Sequence, residues 1–245
     1  MNFQGLTGIL VLLGIAYLLS NNRKEIKIRT VLWGLGLQFS LALMILKIPF
    51  VKSQFSILDR IFRKVISFSE TGSNFLFESF IPDVGYHVAM MNFAFRALPV
   101  IIFFSSLIAM SYHFGIVQTI IKFISKIMRS TMRTSGPETL SISANIFVGQ
   151  TEAPIIVRPF IKDMSNSELM AIMTGGFATT AGSVLALYVL WLEKIPGIAG
   201  HMLAASIMSA PAALAIAKII YPETEKSRPK KIIKIHNRRE TQNAM

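Results

Sequence analysis

The sequence predicts an all-α integral membrane protein with about five transmembrane helices, one re-entrant helical hairpin and interfacial amphipathic helices. Hydrophobic residues make up 52% of its 245 residues, whereas charged residues make up 16%, and the mean hydropathy is +0.54. Soluble domains carry about a quarter charged residues. Basic clusters lie between the apolar stretches, a pattern that is typical of the loops that orient membrane helices.

Five apolar stretches meet or approach the roughly 20 residues that a spanning helix needs. They are Gln4–Ser20, Thr30–Phe50, Val88–Tyr112, Met170–Leu192 and His201–Tyr221. The loop between the first two carries Arg23, Lys24, Lys27 and Arg29. Short basic loops stay in the cytoplasm. We therefore expect a multi-pass protein of the cell (inner) membrane with its N-terminus outside and its C-terminus cytoplasmic.

Two amphipathic stretches are expected to lie in the membrane interface. In residues 55–68 an apolar helical face is formed by Leu58, Ile61, Phe62 and Val65. Four charged residues lie off that face, namely Asp59, Arg60, Arg63 and Lys64. Residues 113–133 predict a second helix of this kind on the cytoplasmic side. Helices with one apolar and one charged face commonly lie in the interface plane.

A polar run inside an apolar segment predicts the re-entrant hairpin, over residues 137–160. Basic residues flank the segment at both ends, so both ends are expected in the cytoplasm. Gly149 and Pro154 bracket the polar run and disfavour a continuous helix. Glu152 lies at the turn, and an acid at bilayer depth is a functional hypothesis by default. The alternative is a cytoplasmic loop in which Glu152 is solvated.

The fourth span is rich in small and hydroxyl residues between Thr174 and Ser183. Such residues permit close packing between membrane helices. The alternative is a broken helix whose hydroxyls and freed carbonyls coordinate a hard cation such as sodium. Composition alone leaves both interpretations open.

Several function classes are disfavoured by the composition. The chain has no cysteine, so disulfides and thiolate metal sites are excluded. No pair of its histidines has metal-ligand spacing, and we expect no transition metal. Nucleophile, phosphate-loop and dinucleotide motifs are missing from the sequence, so we predict that it is not an enzyme. Residues 226–245 form a basic tail, expected to be cytoplasmic and disordered and not to bind nucleic acid.

Several motifs resemble those of the concentrative nucleoside transporters. The run Gly149–Pro154, followed by Arg158 and Pro159, is similar to the first hairpin motif of that family. Residues 176–183 resemble the following helix, residues 201–224 the helix after it, and residues 95–104 the third span. The resemblance covers about residues 1–225 and carries most of the functional interpretation.

The resemblance implies sodium-coupled nucleoside symport by a homotrimer, with no cofactor beyond the coupling sodium ion. By motif position, the substrate contacts would be Gly149, Gln150, Thr151, Glu152 and Val184. The sodium contacts would be Asn145, Val148, Thr179 and Thr180, partly through backbone carbonyls. Nucleoside, sodium and membrane lipid are the implied partners.

The resemblance also implies a division of the chain. Residues 1–112 would form scaffold-type helices with the interfacial helix 55–68, and residues 134–225 a transport-domain half with helices 170–192 and 201–221. This would be the first half of an inverted-repeat transporter, and we expect a truncated or split form that lacks the second half of the site. The alternative is a non-transporting membrane module that retains a nucleoside-recognition fold.

Overall fold

The computed structural model describes residues 4–77 and 93–225, and within these ranges every regular element is helical. This confirms the predicted all-α fold. The helices are α1 Gln4–Leu18, α2 Ile28–Lys47, α3 Pro49–Phe77, α4 Leu98–His113, α5 Ile116–Met132, α6 Gly136–Asn145, α7 Ala153–Ile156, α8 Asn166–Ala178, α9 Gly182–Trp191 and α10 Ile198–Ile220. Short 3-10 helices occur at Arg23–Glu25 and Arg158–Asp163, and a π-helical turn at Phe93–Ala97.

Three helices in the described ranges are long and apolar enough to cross a membrane, or four if one bent pair forms a single span. They are α2, α10 and the pair α8 and α9 taken together as Asn166–Trp191; α4 qualifies only together with α5, to which it is bent by 76°. The predicted first span is shorter than expected, because α1 has 15 residues. At 1.5 Å per residue that is about 22 Å, against roughly 30 Å of hydrocarbon. The start of the predicted third span, residues 88–92, and the predicted basic tail, residues 226–245, lie outside the described residues.

Helix α3 is longer than the predicted amphipathic segment 55–68 and runs without interruption from Pro49 to Phe77. Its first residue is a proline, which a helix tolerates in its first turn because the missing N–H would have no partner there. Phe62 and Val65 pack against a core cluster of α3, α4, α9 and α10. Leu58 and Ile61 are exposed. The predicted apolar face is therefore divided between the core and the protein surface.

One charged residue of α3 is buried, contrary to the prediction that its charges lie off the buried face. Asp59 is 8% exposed, and its carboxylate accepts a 2.9 Å hydrogen bond from the backbone N–H of Ala199, in the first turn of α10. Arg63 pairs with Asp59 at 3.0 Å and donates to the carbonyls of Glu193 and Ile195. A carboxylate at a helix N-terminus meets unpaired N–H groups and the positive end of the helix dipole. These bonds join α3 to the α9–α10 connection.

The loop between α1 and α2 is joined to the C-terminal end of α10. The backbone N–H of Asn21 donates to the carbonyl of Ile220 at 2.8 Å. Further along, α2 packs on α10 at Gly34, where an added Cβ would lie 2.7 Å from the Cβ of Ala215. Thr30 donates to the carbonyl of Met132 at 3.1 Å. Helix α2 is therefore fixed both to α10 and to the end of α5.

A buried ion-pair cluster joins α6, α8 and α10 at the end where α6 and α8 begin. The ammonium of Lys218 lies 2.7 Å from Glu138 and 3.4 Å from Glu223, and it donates to the hydroxyl of Ser167 at 2.9 Å. Lys218 is 6% exposed and Glu138 is 1% exposed. Glu138 also accepts a hydrogen bond from the backbone N–H of Ser135, the N-cap residue of α6. The cluster therefore fixes the base of the hairpin.

We predict that Lys218→Met destabilises the protein by roughly 3–5 kcal/mol, because the carboxylate of Glu138 would remain buried without its partner. The thermal midpoint in detergent, measured by size-exclusion chromatography after heating, should fall by roughly 10 °C. The double variant Lys218→Met with Glu138→Gln removes both charges of the closest pair and should recover part of that loss. A single variant as stable as the parent protein would show that the pair does not fix the hairpin base.

Candidate functional site

The predicted hairpin is built from one regular arm and one irregular arm. Helix α6 starts with a capping box between Ser135 and Glu138 and ends at Asn145. The chain then turns, with the N–H of Ala153 bonded to the carbonyl of Gly149 at 3.0 Å. The four-residue helix α7 and the 3-10 helix Arg158–Asp163 follow. Residues from both arms pack in one core cluster, which contains Leu140, Ala144, Val148, Ala153 and Val157.

The fourth predicted span is interrupted, as the broken-helix interpretation requires. Helix α8 ends at Ala178 and α9 begins at Gly182. Between them the backbone is extended, with φ −130° and ψ 156° at Thr179 and φ −60° and ψ 148° at Ala181. An extended segment between two helices leaves N–H and C=O groups without intrahelical partners, and such groups need partners from elsewhere.

The turn of the hairpin supplies one of those partners. The N–H of Gly182 donates to the carbonyl of Phe147 at 3.0 Å. An added Cβ at Gly182 would lie 2.8 Å from that same oxygen and 2.8 Å from the side chain of Ile108. Only glycine therefore fits where the hairpin turn meets the start of α9. The structure therefore shows both the close packing and the break in the helix, whereas the coordination of a cation at the break stays a prediction.

Asn145 links the end of α6 to the break. It is 2% exposed. Its amide nitrogen donates to the carbonyl of Gly175 at 2.7 Å and to the hydroxyl of Thr179. That hydroxyl lies 3.2 Å from the carbonyl of Asn145, to which it donates. The amide oxygen Oδ1 of Asn145 is buried and has no hydrogen-bond partner among the described residues.

An unpaired amide oxygen is costly to bury, at roughly 1–3 kcal/mol. Buried polar groups of this kind call for a water, an ion or a functional role. Amide, hydroxyl and carbonyl oxygens are suitable ligands for a hard cation. Asn145 Oδ1 and the hydroxyl of Thr179 therefore fit a sodium ion. Val148 is buried in the hairpin turn, and Thr180 is half-buried in the break.

The predicted substrate residues lie on the outer side of the turn. Gln150, Thr151 and Glu152 are exposed and consecutive. The N–H of Gly149 approaches a carboxylate oxygen of Glu152 at 3.4 Å. Val184 is half-buried at the start of α9. The structure thus brings the hairpin turn and the break together, with buried oxygens on the inside and polar side chains on the outside.

Some groups at this site had no signal in the sequence. The carbonyls of Phe147 and Gly175 each accept a hydrogen bond that joins the hairpin to the broken span. Every residue has a backbone carbonyl, so the residue type does not show which carbonyls are free to accept. Only the position of a helix break could have indicated them. The Lys218 cluster at the hairpin base was also missed, because its partners are far apart in sequence.

Comparison with protein families gives three matches along the chain. Residues 7–80 match the model of the Na+ dependent nucleoside transporter N-terminus, and residues 201–245 match that of its C-terminus. Between them, residues 94–195 match a model described as nucleoside recognition. The three matches follow one another in order and take up most of the chain.

Curated relatives include sodium/nucleoside cotransporter 1 of Mus musculus, which is 43% identical over 223 residues, or 90% of this chain and 32% of the relative. An uncharacterized transporter of Haemophilus influenzae is 43% identical over 222 residues, or 91% of this chain and 52% of the relative. The chain therefore spans between about a third and about half the length of these relatives.

Solved structures give the same result at the level of the fold. CNTnw in an inward-facing, substrate-bound state is 41% identical, with a TM-score of 0.83 over 93% of this chain and 55% of that chain. A CNTnw variant in an outward-facing state also has a TM-score of 0.83, covering 92% of this chain and 53% of that chain. With the three family models matched in order, the chain belongs to the family of sodium-dependent nucleoside transporters.

Proposed function

We propose that this chain takes part in sodium-coupled nucleoside transport across the cell membrane, by symport with elevator-type alternating access. The observation that carries the proposal is the unpaired, buried oxygen of Asn145 beside Thr179, where the hairpin turn meets the break between α8 and α9. A buried oxygen cluster at a broken membrane helix is suited to the coupling ion. No catalytic step is part of this function.

The sodium ion would be held by Asn145, Val148, Thr179 and Thr180. Asn145 Oδ1 would be a direct ligand, and its amide nitrogen already fixes the side chain by donating to Gly175. Binding would draw the hairpin turn and the break together, since Asn145 comes from one and Thr179 from the other. This gives the ion a means of ordering the substrate side of the turn.

The nucleobase would be bound by Gln150, Thr151 and Glu152, with Gly149 and Val184 lining the pocket. Amide, hydroxyl and carboxylate groups can match the donor and acceptor edges of a base. Their exposure in the described structure leaves these side chains open to a solute. In the proposed intact transporter, the second, inverted half would supply the opposite wall and the contacts to the ribose.

The division into a scaffold part, 1–112, and a transport part, 134–225, is a proposal, as are the homotrimer and the orientation with the N-terminus outside. The close packing of α2 on α10 at Gly34 bears on this division. If α10 moves, α2 would move with it, because the two helices are too close to slide freely. Helix α2 would then move with the transport part.

A chimera tests the proposed function. Residues 4–225 would replace the matching segment of CNTnw, and uridine uptake into vesicles would be measured with sodium or choline outside. We expect sodium-dependent uptake by the chimera and no or weak uptake by the 245-residue chain alone. Robust uptake by the chain alone would contradict the half-site. A chimera that elutes as CNTnw does but transports nothing would contradict the transport function.

The match to a nucleoside-recognition model over residues 94–195 favours a second candidate, a membrane module that binds nucleoside without moving it. Nucleoside binding by the purified chain, measured by equilibrium dialysis, combined with an inactive chimera, would favour this candidate.

A further inference from the structure

Helix α5 has three distinct faces. The first is buried against the protein and consists of Val117, Gln118, Ile121, Ser125, Met128 and Met132. The second is apolar and exposed, and consists of Ile116, Ile120, Phe123 and Ile127. The third, here called the basic face, consists of Lys122, Lys126 and Arg129 with Arg133 directly after the helix. At 100° per residue each group falls within one sector of the helix.

Both of these faces are exposed at the surface that the described residues form. Phe123 is 65% exposed and Ile116 is 56% exposed, which is unfavourable in water for side chains of this size. The four residues of the basic face form no ion pair with any other residue in the described ranges. An apolar face beside a basic face is the pattern of a helix that lies at the surface of an anionic membrane.

The orientation of α5 supports the same occupant. Gly115 has a φ of +81° and separates α5 from α4, and the two helix axes differ by 76°. If α4 runs across the membrane, α5 runs close to the membrane plane. In that position Phe123 and Ile127 can enter the acyl-chain region while the basic face lies at the height of the phosphate groups.

We propose that α5 binds anionic phospholipid, with Phe123 and Ile127 against the acyl chains and the basic face on the phosphate headgroups. The binding is independent of the nucleoside and of the sodium ion. Arginine and lysine donate charge-assisted hydrogen bonds to phosphate oxygens. Because α5 leads directly into Ser135 and the capped start of α6, bound lipid also fixes the base of the hairpin.

The two lysines are the clearest residues to test. Arg129 and Arg133 also line a polar cavity of about 520 Å³, together with carboxylates that include Glu138 and Glu223. Lys122 and Lys126 do not line this cavity, so their substitution changes the lipid-facing charge alone.

Tryptophan quenching in vesicles measures the local lipid composition. The full chain would carry Phe123→Trp, with Trp33 and Trp191 replaced by phenylalanine. The vesicles would consist of phosphatidylcholine with a minor fraction of phosphatidylglycerol. In one preparation the phosphatidylglycerol carries brominated acyl chains, and in the other the phosphatidylcholine carries them, at equal total bromine content. We expect brominated phosphatidylglycerol to quench the tryptophan more strongly, and high salt to reduce the difference because it screens exposed charges.

Lys122→Gln with Lys126→Gln should lower the preference for phosphatidylglycerol on the order of tenfold. The charge-preserving pair Lys122→Arg with Lys126→Arg should retain it. The matched control is Lys47→Gln with Lys52→Gln, which removes the same charge away from α5 and should have no effect. Equal quenching by the two lipids would overturn the proposal. Quenching by neither lipid would also overturn it, since protein would then cover Phe123.

Discussion

Sodium is expected to stabilise this chain, and replacing Asn145 with leucine is expected to abolish that stabilisation. In sodium the thermal midpoint of the parent chain should exceed that in choline at equal ionic strength. An ion at a hundred times its Kd adds about 2.7 kcal/mol, which corresponds to roughly 5–10 °C for a chain of this size. Leucine has a similar volume but no oxygen, so the increment should vanish.

The quantity to compare between variants is the difference between the thermal midpoints in sodium and in choline, here called the sodium increment. Leucine also removes the bond from Asn145 to the carbonyl of Gly175, which lowers the stability in both salts. That loss is common to the two measurements and cancels in their difference. Asn145→Asp keeps an oxygen at Oδ1 and should retain the increment. Thr179→Val keeps the shape but removes a hydroxyl, and should reduce it.

This experiment needs only the chain itself. All four proposed sodium residues lie between Asn145 and Thr180, and the structure brings the two ends of that segment together. The proposed substrate site differs, because in the proposed intact transporter the second half would supply its opposite wall. Sodium binding without uptake is therefore the expected combination for the chain alone. An undiminished sodium increment in Asn145→Leu would remove this residue from the sodium site.

The membrane fold and the position of the hairpin could be predicted because both follow from local properties of the sequence. Apolar length and basic loops indicate spans, and the polar run bracketed by Gly149 and Pro154 indicates a turn at depth. The break at Thr179 was also visible as a cluster of glycines and hydroxyls. In that case the composition left close packing and a broken helix open, and only the structure shows that the helix is broken and also closely packed, at Gly182.

Long-range contacts could not be predicted, since they depend on which residues the fold brings together. Asp59 has the spacing of a surface charge, yet it binds Ala199, which is 140 positions away. Lys218 ends an apolar helix close to a basic tail, where a lysine is expected to extend towards water. Its burial becomes possible because Glu138 comes from the start of the hairpin. In both cases a partner from another helix reverses the expected exposure.

The second large effect is expected at Glu152, in the chimera that carries residues 4–225. Glu152→Gln should reduce sodium-dependent uridine uptake by roughly ten- to a hundredfold. Hydrogen bonds to a charged group are worth about 1.5–3 kcal/mol, and each 1.4 kcal/mol is a factor of about ten. Glutamine keeps the length of the side chain but replaces an acceptor oxygen with a donor, which opposes an N–H of the base.

The matched control is Glu193→Gln, which makes the same chemical change at an exposed glutamate away from the hairpin. It should leave uptake unchanged. The Glu152 variant should also keep the sodium increment in thermal stability, because the buried oxygens of Asn145 and Thr179 are untouched. Loss of uptake with the increment retained would separate the substrate role of the turn from the ion role of the network beneath it. Uptake at the parental level would instead mean that Glu152 is merely solvated, as the loop interpretation has it.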